Sequence, residues 1–134
     1  ESIINRPVES AINAKYNLLL PDTYSNMVEL EIKEDFSMGY PETIGFRAGT
    51  CSPFMFYDLN FEITTPLLVN PYMFSTKAPL LEDFPLFTSK VEQMVSEVKA
   101  VDGTFCGIFS NKDFASENKK ERMFSLIEKI NERD

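Results

Sequence analysis

Six side chains between residues 35 and 58 have the types from which a binding or catalytic site can be assembled: Asp35, Arg47, Cys51, Phe54, Tyr57 and Asp58. Arg47 carries a permanent charge on a planar fork of N–H donors, suited to a carboxylate or to sugar oxygens. Its other reading is structural, a side chain that holds its own loop through backbone carbonyls. Asp35 can act as a ligand or hydrogen-bond acceptor, and equally as a cap or turn residue. Asp58 can accept from Arg47 or close an ordinary turn. Cys51, after Gly49 and Thr50, has the position of a loop nucleophile. The chain contains no histidine to activate it, so a small packed side chain is the expected role. Phe54, Phe56 and Tyr57 can form a sugar-stacking platform or join the core; rings so close in sequence cannot all face one way. Cys106, inside an apolar run, reads as core.

The elements that must position these residues follow from periodicity. Tyr16 to Leu20 is a short apolar run that predicts a buried strand. Pro21 and Asp22 mark a helix start, and Tyr24, Met27 and Val28 fall at helix-face spacing behind it. Glu34 to Tyr40 predicts a second strand. Pro41 to Asn60 has little periodicity and reads as one long irregular segment, of the kind more often functional than decorative. Pro66 to Phe74 predicts a third strand, weakened by Pro71. Ser89 and Glu92 have the spacing of a capping box before a helix whose face is Val91, Met94, Val95 and Val98, ending near Asp102-Gly103. Thr104 to Phe109 predicts a fourth strand. Ser116 is placed to cap a last helix with Met123, Phe124, Ile127 and Ile130 on its buried face. About four strands and three helices in alternation imply an α/β fold with a largely parallel sheet. In such folds ligands gather at the C-terminal ends of the strands, and the Pro41 to Asn60 segment belongs on that side.

Composition narrows the partners. The chain has 134 residues, 43% hydrophobic and 25% charged, which fits one domain over residues 1–134. Its net charge of −8 opposes binding to nucleic acid or to an anionic membrane surface. Lys119, Lys120 and Arg122 sit among Glu117, Glu121 and Glu128, the pattern of a solvated helix face. Two cysteines are no disulfide framework, and free thiols in a reducing compartment or one incidental bridge both fit. No apolar run approaches the ~20 residues of a membrane helix. With no signal-peptide pattern, a cytoplasmic location is expected over a secreted one; the start at Glu1 fits removal of an upstream segment.

The strings DFSMGYPETIGFRAGT and GFRAGTCSPFMFYDL resemble a bacterial subgroup of polysaccharide-deacetylase-like proteins. LPDTYSNMVELEIKEDFSMGY looks like the helix and strand before that family's arginine motif, and VKAVDGTFCGIFSN like its last helix and strand. From about Tyr16 onward, the chain is thus similar to the C-terminal half of a distorted (β/α) barrel. The resemblance implies removal of acetyl groups from N-acetylated sugars with a bound zinc. An aspartate and two histidines hold the metal, a second aspartate acts as base, and a later histidine as acid. Carried over residue by residue, the family's arginine, which orients the catalytic base, matches Arg47. Its final histidine position matches Ser110. Asn17 falls where the subgroup often has Arg-Gln-His, and Ser75 and Thr76 where it often has Met-Asp-Gly-Thr. The paired aspartates and the metal-binding histidine motif have no counterpart here, and Cys51 and Cys106 lie 55 positions apart. No cofactor is expected in this chain, and zinc only if an upstream half supplies ligands.

These readings favour a catalytically inactive, deacetylase-like domain that binds carbohydrate. One alternative is the C-terminal part of an active metal-dependent carbohydrate N-deacetylase whose ligands lie outside this chain. Another is a protein-interaction module that reuses the fold. A half-barrel leaves sheet edges open, so self-association or cover by a missing N-terminal segment is expected.

Overall fold

The computed structural model describes residues 5–13 and 17–131. Strand β1 (Ser10–Ala11) leads through helix α1 (Asp22–Glu29) to β2 (Glu34–Asp35). A hairpin of β3 (Phe54–Asp58) and β4 (Ile63–Val69) follows, then β5 (Phe74–Ser75), helix α2 (Phe84–Ala100), β6 (Gly107–Ile108) and helix α3 (Glu117–Asn131). Single 3-10 turns at Pro79–Glu82 and Asn111–Phe114 precede α2 and α3. One sheet has the order β1-β2-β4-β3, the other pairs β5 with β6. The β1–β2, β2–β4 and β5–β6 pairings are parallel, and β3–β4 is antiparallel. Two β-α-β crossovers, through α1 and through α2, account for the β1–β2 and β5–β6 pairings, while β2 reaches its parallel neighbour β4 through a long loop and β3. The class is therefore mixed α/β; among the described residues the two sheets do not close into a barrel. No described helix is long and apolar enough to cross a membrane.

Each sheet has its own core. Leu18, Tyr24, Met38, Phe56, Leu67 and Val69 fill the space between α1 and the four-stranded sheet. Met73, Phe74, Phe87, Val91, Val95 and Leu126 join β5 to α2 and α3. Phe74 is central there: it meets Phe87 at 5.4 Å and Phe109 at 5.5 Å between centroids, both edge to face. Its ring also lies over Gly107, where an added Cβ would come within 2.6 Å of it.

Several expected elements differ, for local reasons. Tyr16 lies outside the described residues, and 17–20 form no strand: Leu18 alone is buried while Leu19 and Leu20 face solvent. β1 was hidden in a weakly patterned stretch because it is two residues long. The strand expected over Glu34 to Tyr40 stops at Asp35, whose side chain takes the Ser37 N–H at 2.9 Å and bends the chain away. The irregular segment ends before Phe54 rather than at Asn60. β3 carries apolar residues on both faces, so its alternation does not show in hydropathy. The strand expected over Pro66 to Phe74 is two strands, broken at Asn70 and Pro71. Helix α2 starts at Phe84, capped by Asp83, whose carboxylate accepts from Leu86 N–H at 3.2 Å. Ser89 therefore lies inside the helix and is no cap. Phe124 is turned from the α3 core face towards Phe114, at 5.9 Å.

Candidate functional site

Asp35, at the end of β2, is fully buried. Its Oδ2 accepts from the Tyr24 hydroxyl at 2.9 Å and from Ser37 N–H at 2.9 Å; its Oδ1 accepts from Ser37 Oγ at 2.7 Å. Ser37 Oγ in turn accepts from Asn13 N–H at 2.7 Å, and the Asp35 carbonyl from Asn70 N–H at 2.8 Å. Asp35, through its carboxylate and its backbone carbonyl, thus ties together the exits of β1, β2 and β4 and the first turn of α1. Burial, and then the Asp35 carboxylate beside it, push the Tyr24 phenol far above its ordinary range, while the charge of Arg47 pulls the other way. Arg47 is half-buried between Phe46, which packs on the β5–β6 core, and Ala48, which packs on the other. It stands where the two cores meet, within electrostatic reach of the Tyr24–Asp35 pair.

The remaining expected residues are dispersed. Asp58 is buried at the end of β3; it accepts from Asn60 N–H at 2.8 Å and from Ser25 Oγ at 3.2 Å, which fastens the hairpin turn to α1. Cys51 lies against the C-terminal end of α2, so close to Gly103 that a Cβ there would come within 2.2 Å of Sγ. Cys51 and Cys106 are both free thiols, and burial pushes the Cys106 thiol up. The aromatic trio divides. Phe54 and Phe56 face the core, Phe56 with its ring 5.1 Å from that of Tyr24, and Tyr57 faces solvent. A three-ring platform for a sugar is not formed, because alternate residues of a strand point to opposite faces.

A different constellation gathers at the ends of β5 and β6. Asp113, in the turn after β6, accepts through Oδ2 from Thr76 Oγ1 and, at 2.6 Å, from Ser110 N–H. Ser110 Oγ accepts from Lys112 N–H at 3.3 Å, which closes that turn. Two of the positions that the resemblance singles out, Thr76 and Ser110, are therefore neighbours across one carboxylate. Beside them opens a cleft of about 360 Å³, lined by the cations Lys77, Lys119 and Arg122, by the carboxylates Glu82 and Asp113, and by Leu81, Phe84 and Met123. The Arg122 guanidinium stacks over the Phe84 ring, 5.6 Å from its centroid, so its position is set by more than solvent. Of the basic run on α3, only Lys120 makes the i,i+3 pair of a solvated face, with Glu117 at 3.8 Å. The cleft was not legible in the sequence because its residues come from two stretches, 76–84 and 113–123, on either side of α2 and β6. The one available signal was the basic cluster Lys119, Lys120 and Arg122 in the first turns of α3 of an acidic chain.

The donor set does not fit zinc. Among the described residues no three His, Cys, Asp or Glu side chains converge. Asp35 and Asp113, the acids nearest strand ends, already receive hydrogen bonds from protein donors. The chain matches no family model, no curated protein and no solved structure.

Proposed function

We propose that this chain is a non-catalytic carbohydrate-binding domain, akin to the C-terminal half of a polysaccharide deacetylase, and that its ligand is an acidic sugar held in the Arg122 cleft. The observation that carries the reading is that Lys77, Lys119 and Arg122 outnumber the two carboxylates, Glu82 and Asp113, in the lining of one cleft of a chain whose net charge is −8. A local excess of positive charge on an acidic molecule favours anions there, because the rest of the surface repels them. Leu81, Phe84 and Met123 offer an apolar floor for the C–H face of a sugar ring, and Thr76 adds a hydroxyl. The volume lies towards the lower end of the range for ligand pockets and suits one or two sugar units. Catalysis is not part of the proposal. The sequence contains no histidine, so neither the proton donor nor the imidazole ligands of the resembled family have a counterpart.

Calorimetric titration with uronic-acid oligosaccharides and with neutral N-acetylglucosamine oligomers tests the reading. The acidic series is expected to bind more tightly, and Arg122→Ala to weaken it about tenfold or more. Absence of binding at millimolar acidic sugar, or equal binding by Arg122→Ala, would overturn it.

A further inference from the structure

The β3–β4 hairpin exposes an unusual run of large apolar side chains. Met55 is 50% exposed, Tyr57 48%, Leu59 79%, Phe61 74% and Ile63 54%. Between Ser52 and Val69 the only charged residues are Asp58 and Glu62, and Asp58 is buried. The hairpin is thus an apolar projection on an acidic chain, with Glu62 its one exposed charge. β3 is also an outermost strand of its sheet, and it carries none of the lysines, prolines or bulges that usually guard an edge. The register shift in the hairpin falls between Met55 and Tyr57, whose partners are Leu68 and Thr64. The extra residues therefore belong to β4, around Pro66, and β3 itself runs unbulged.

The free hydrogen-bonding groups of β3 belong to alternate residues. The Phe56 carbonyl accepts from Thr65 Oγ1 at 2.8 Å and so faces β4. Backbone polar groups alternate sides along a strand, so those of Met55 and Tyr57 face outward, towards open edge. These two residues are placed symmetrically about Phe56. In an antiparallel pair of two β3 strands centred there, Met55 of each copy lies opposite Tyr57 of the other. The pair closes four N–H···O=C bonds and sets each thioether against a phenol ring.

We infer that β3 is the contact of a two-fold dimer, in which a second copy of this chain extends the four-stranded sheet into a continuous eight-stranded one. The hairpin side chains expose roughly 600 Å² of apolar surface per copy, the most this pairing can draw on, with the edge backbone, towards the ~800 Å² per partner of a stable interface. A second copy also suits the charge pattern: two chains of net charge −8 can approach closely only through a surface that carries almost none of it. The hairpin shares no residue with the Arg122 cleft, so the two proposals stand or fall separately.

Light scattering coupled to size exclusion, across a concentration series of the full chain, tests the inference. A dimer is expected at about 100 µM, and its fraction should rise from about 50 to 500 mM salt as repulsion is screened. Met55→Lys/Tyr57→Lys, with both changes on the exposed face, should weaken association by about tenfold or more with circular dichroism unchanged. Should that variant unfold, hydrogen exchange of the unmodified chain decides: the Met55 and Tyr57 amides should be protected when concentrated and lose protection on dilution. A monomer at every concentration, a dimer that salt weakens, a folded double variant that still dimerises, or dilution-independent exchange at these amides would each overturn it. The first of these outcomes would leave the hairpin to a different partner.

Discussion

The Tyr24 hydroxyl donates to Asp35 Oδ2 at 2.9 Å with both side chains out of reach of solvent. This bond couples α1 to the strand exits it covers. A buried carboxylate is tolerable only when its oxygens are satisfied, and here Tyr24 and Ser37 supply the donors.

Tyr24→Phe removes one of those donors and nothing else of the ring's packing on Phe56. It is expected to destabilise the fold by about 1–3 kcal/mol. Asp35→Ala strands the Tyr24 hydroxyl and both Ser37 donors and should cost about 3 kcal/mol or more. Urea unfolding of the two single variants and the double variant measures their coupling. Additive effects would mean that the two residues act independently.

Alkaline pH should expose the same bond. The folded-state pKa of Tyr24 is raised above that of the unfolded chain, first by burial and then by Asp35. Its stabilisation is therefore complete below about pH 10 and is lost as pH climbs towards the folded-state value. Urea midpoints between pH 8 and 11 should fall more steeply for the unmodified chain than for Tyr24→Phe. Equal slopes would remove Tyr24 from the account.

Gly107 should not tolerate a methyl group. An added Cβ meets the Phe74 ring at 2.6 Å, and that ring is held from other sides by Phe87 and Phe109. Gly107→Ala is expected to lower stability by about 1–3 kcal/mol through overpacking, read as a lower thermal midpoint. An unchanged midpoint would mean that the aromatic cluster can shift.

Cleft binding should be electrostatic. Affinity for acidic sugar should decline as salt rises from about 50 to 300 mM. Lys119→Gln should weaken binding less than Arg122→Ala, because an ammonium lacks the planar fork and the stacking on Phe84. Titrations at several salt concentrations check both, and a salt-independent affinity would contradict the cationic reading.

The α/β class, the three helices and the alternation that makes most of the pairing parallel were legible in the chain. The faces of α1 and α2 were legible too: Tyr24, Val91, Val95 and Val98 are buried at their expected spacings, because helix periodicity is a local property of hydrophobic pattern. The missing imidazole was likewise a matter of counting. What lay beyond the sequence depends on contacts between distant segments. The expected start of α2 at Ser89 failed because Asp83, several residues earlier, is the side chain that meets a free helix N–H. Asp35 read as an ordinary turn acid, and it does close a turn with Ser37; only folding delivers Tyr24 to it. Lys119 and Arg122 read as a solvated face and are exposed, and only the packing of α3 beside the turn after β5 also sets them at the edge of a cleft. Pattern reports how each segment divides between core and solvent, while the meeting of segments is set by strand pairing and core packing, which no short window of residues contains.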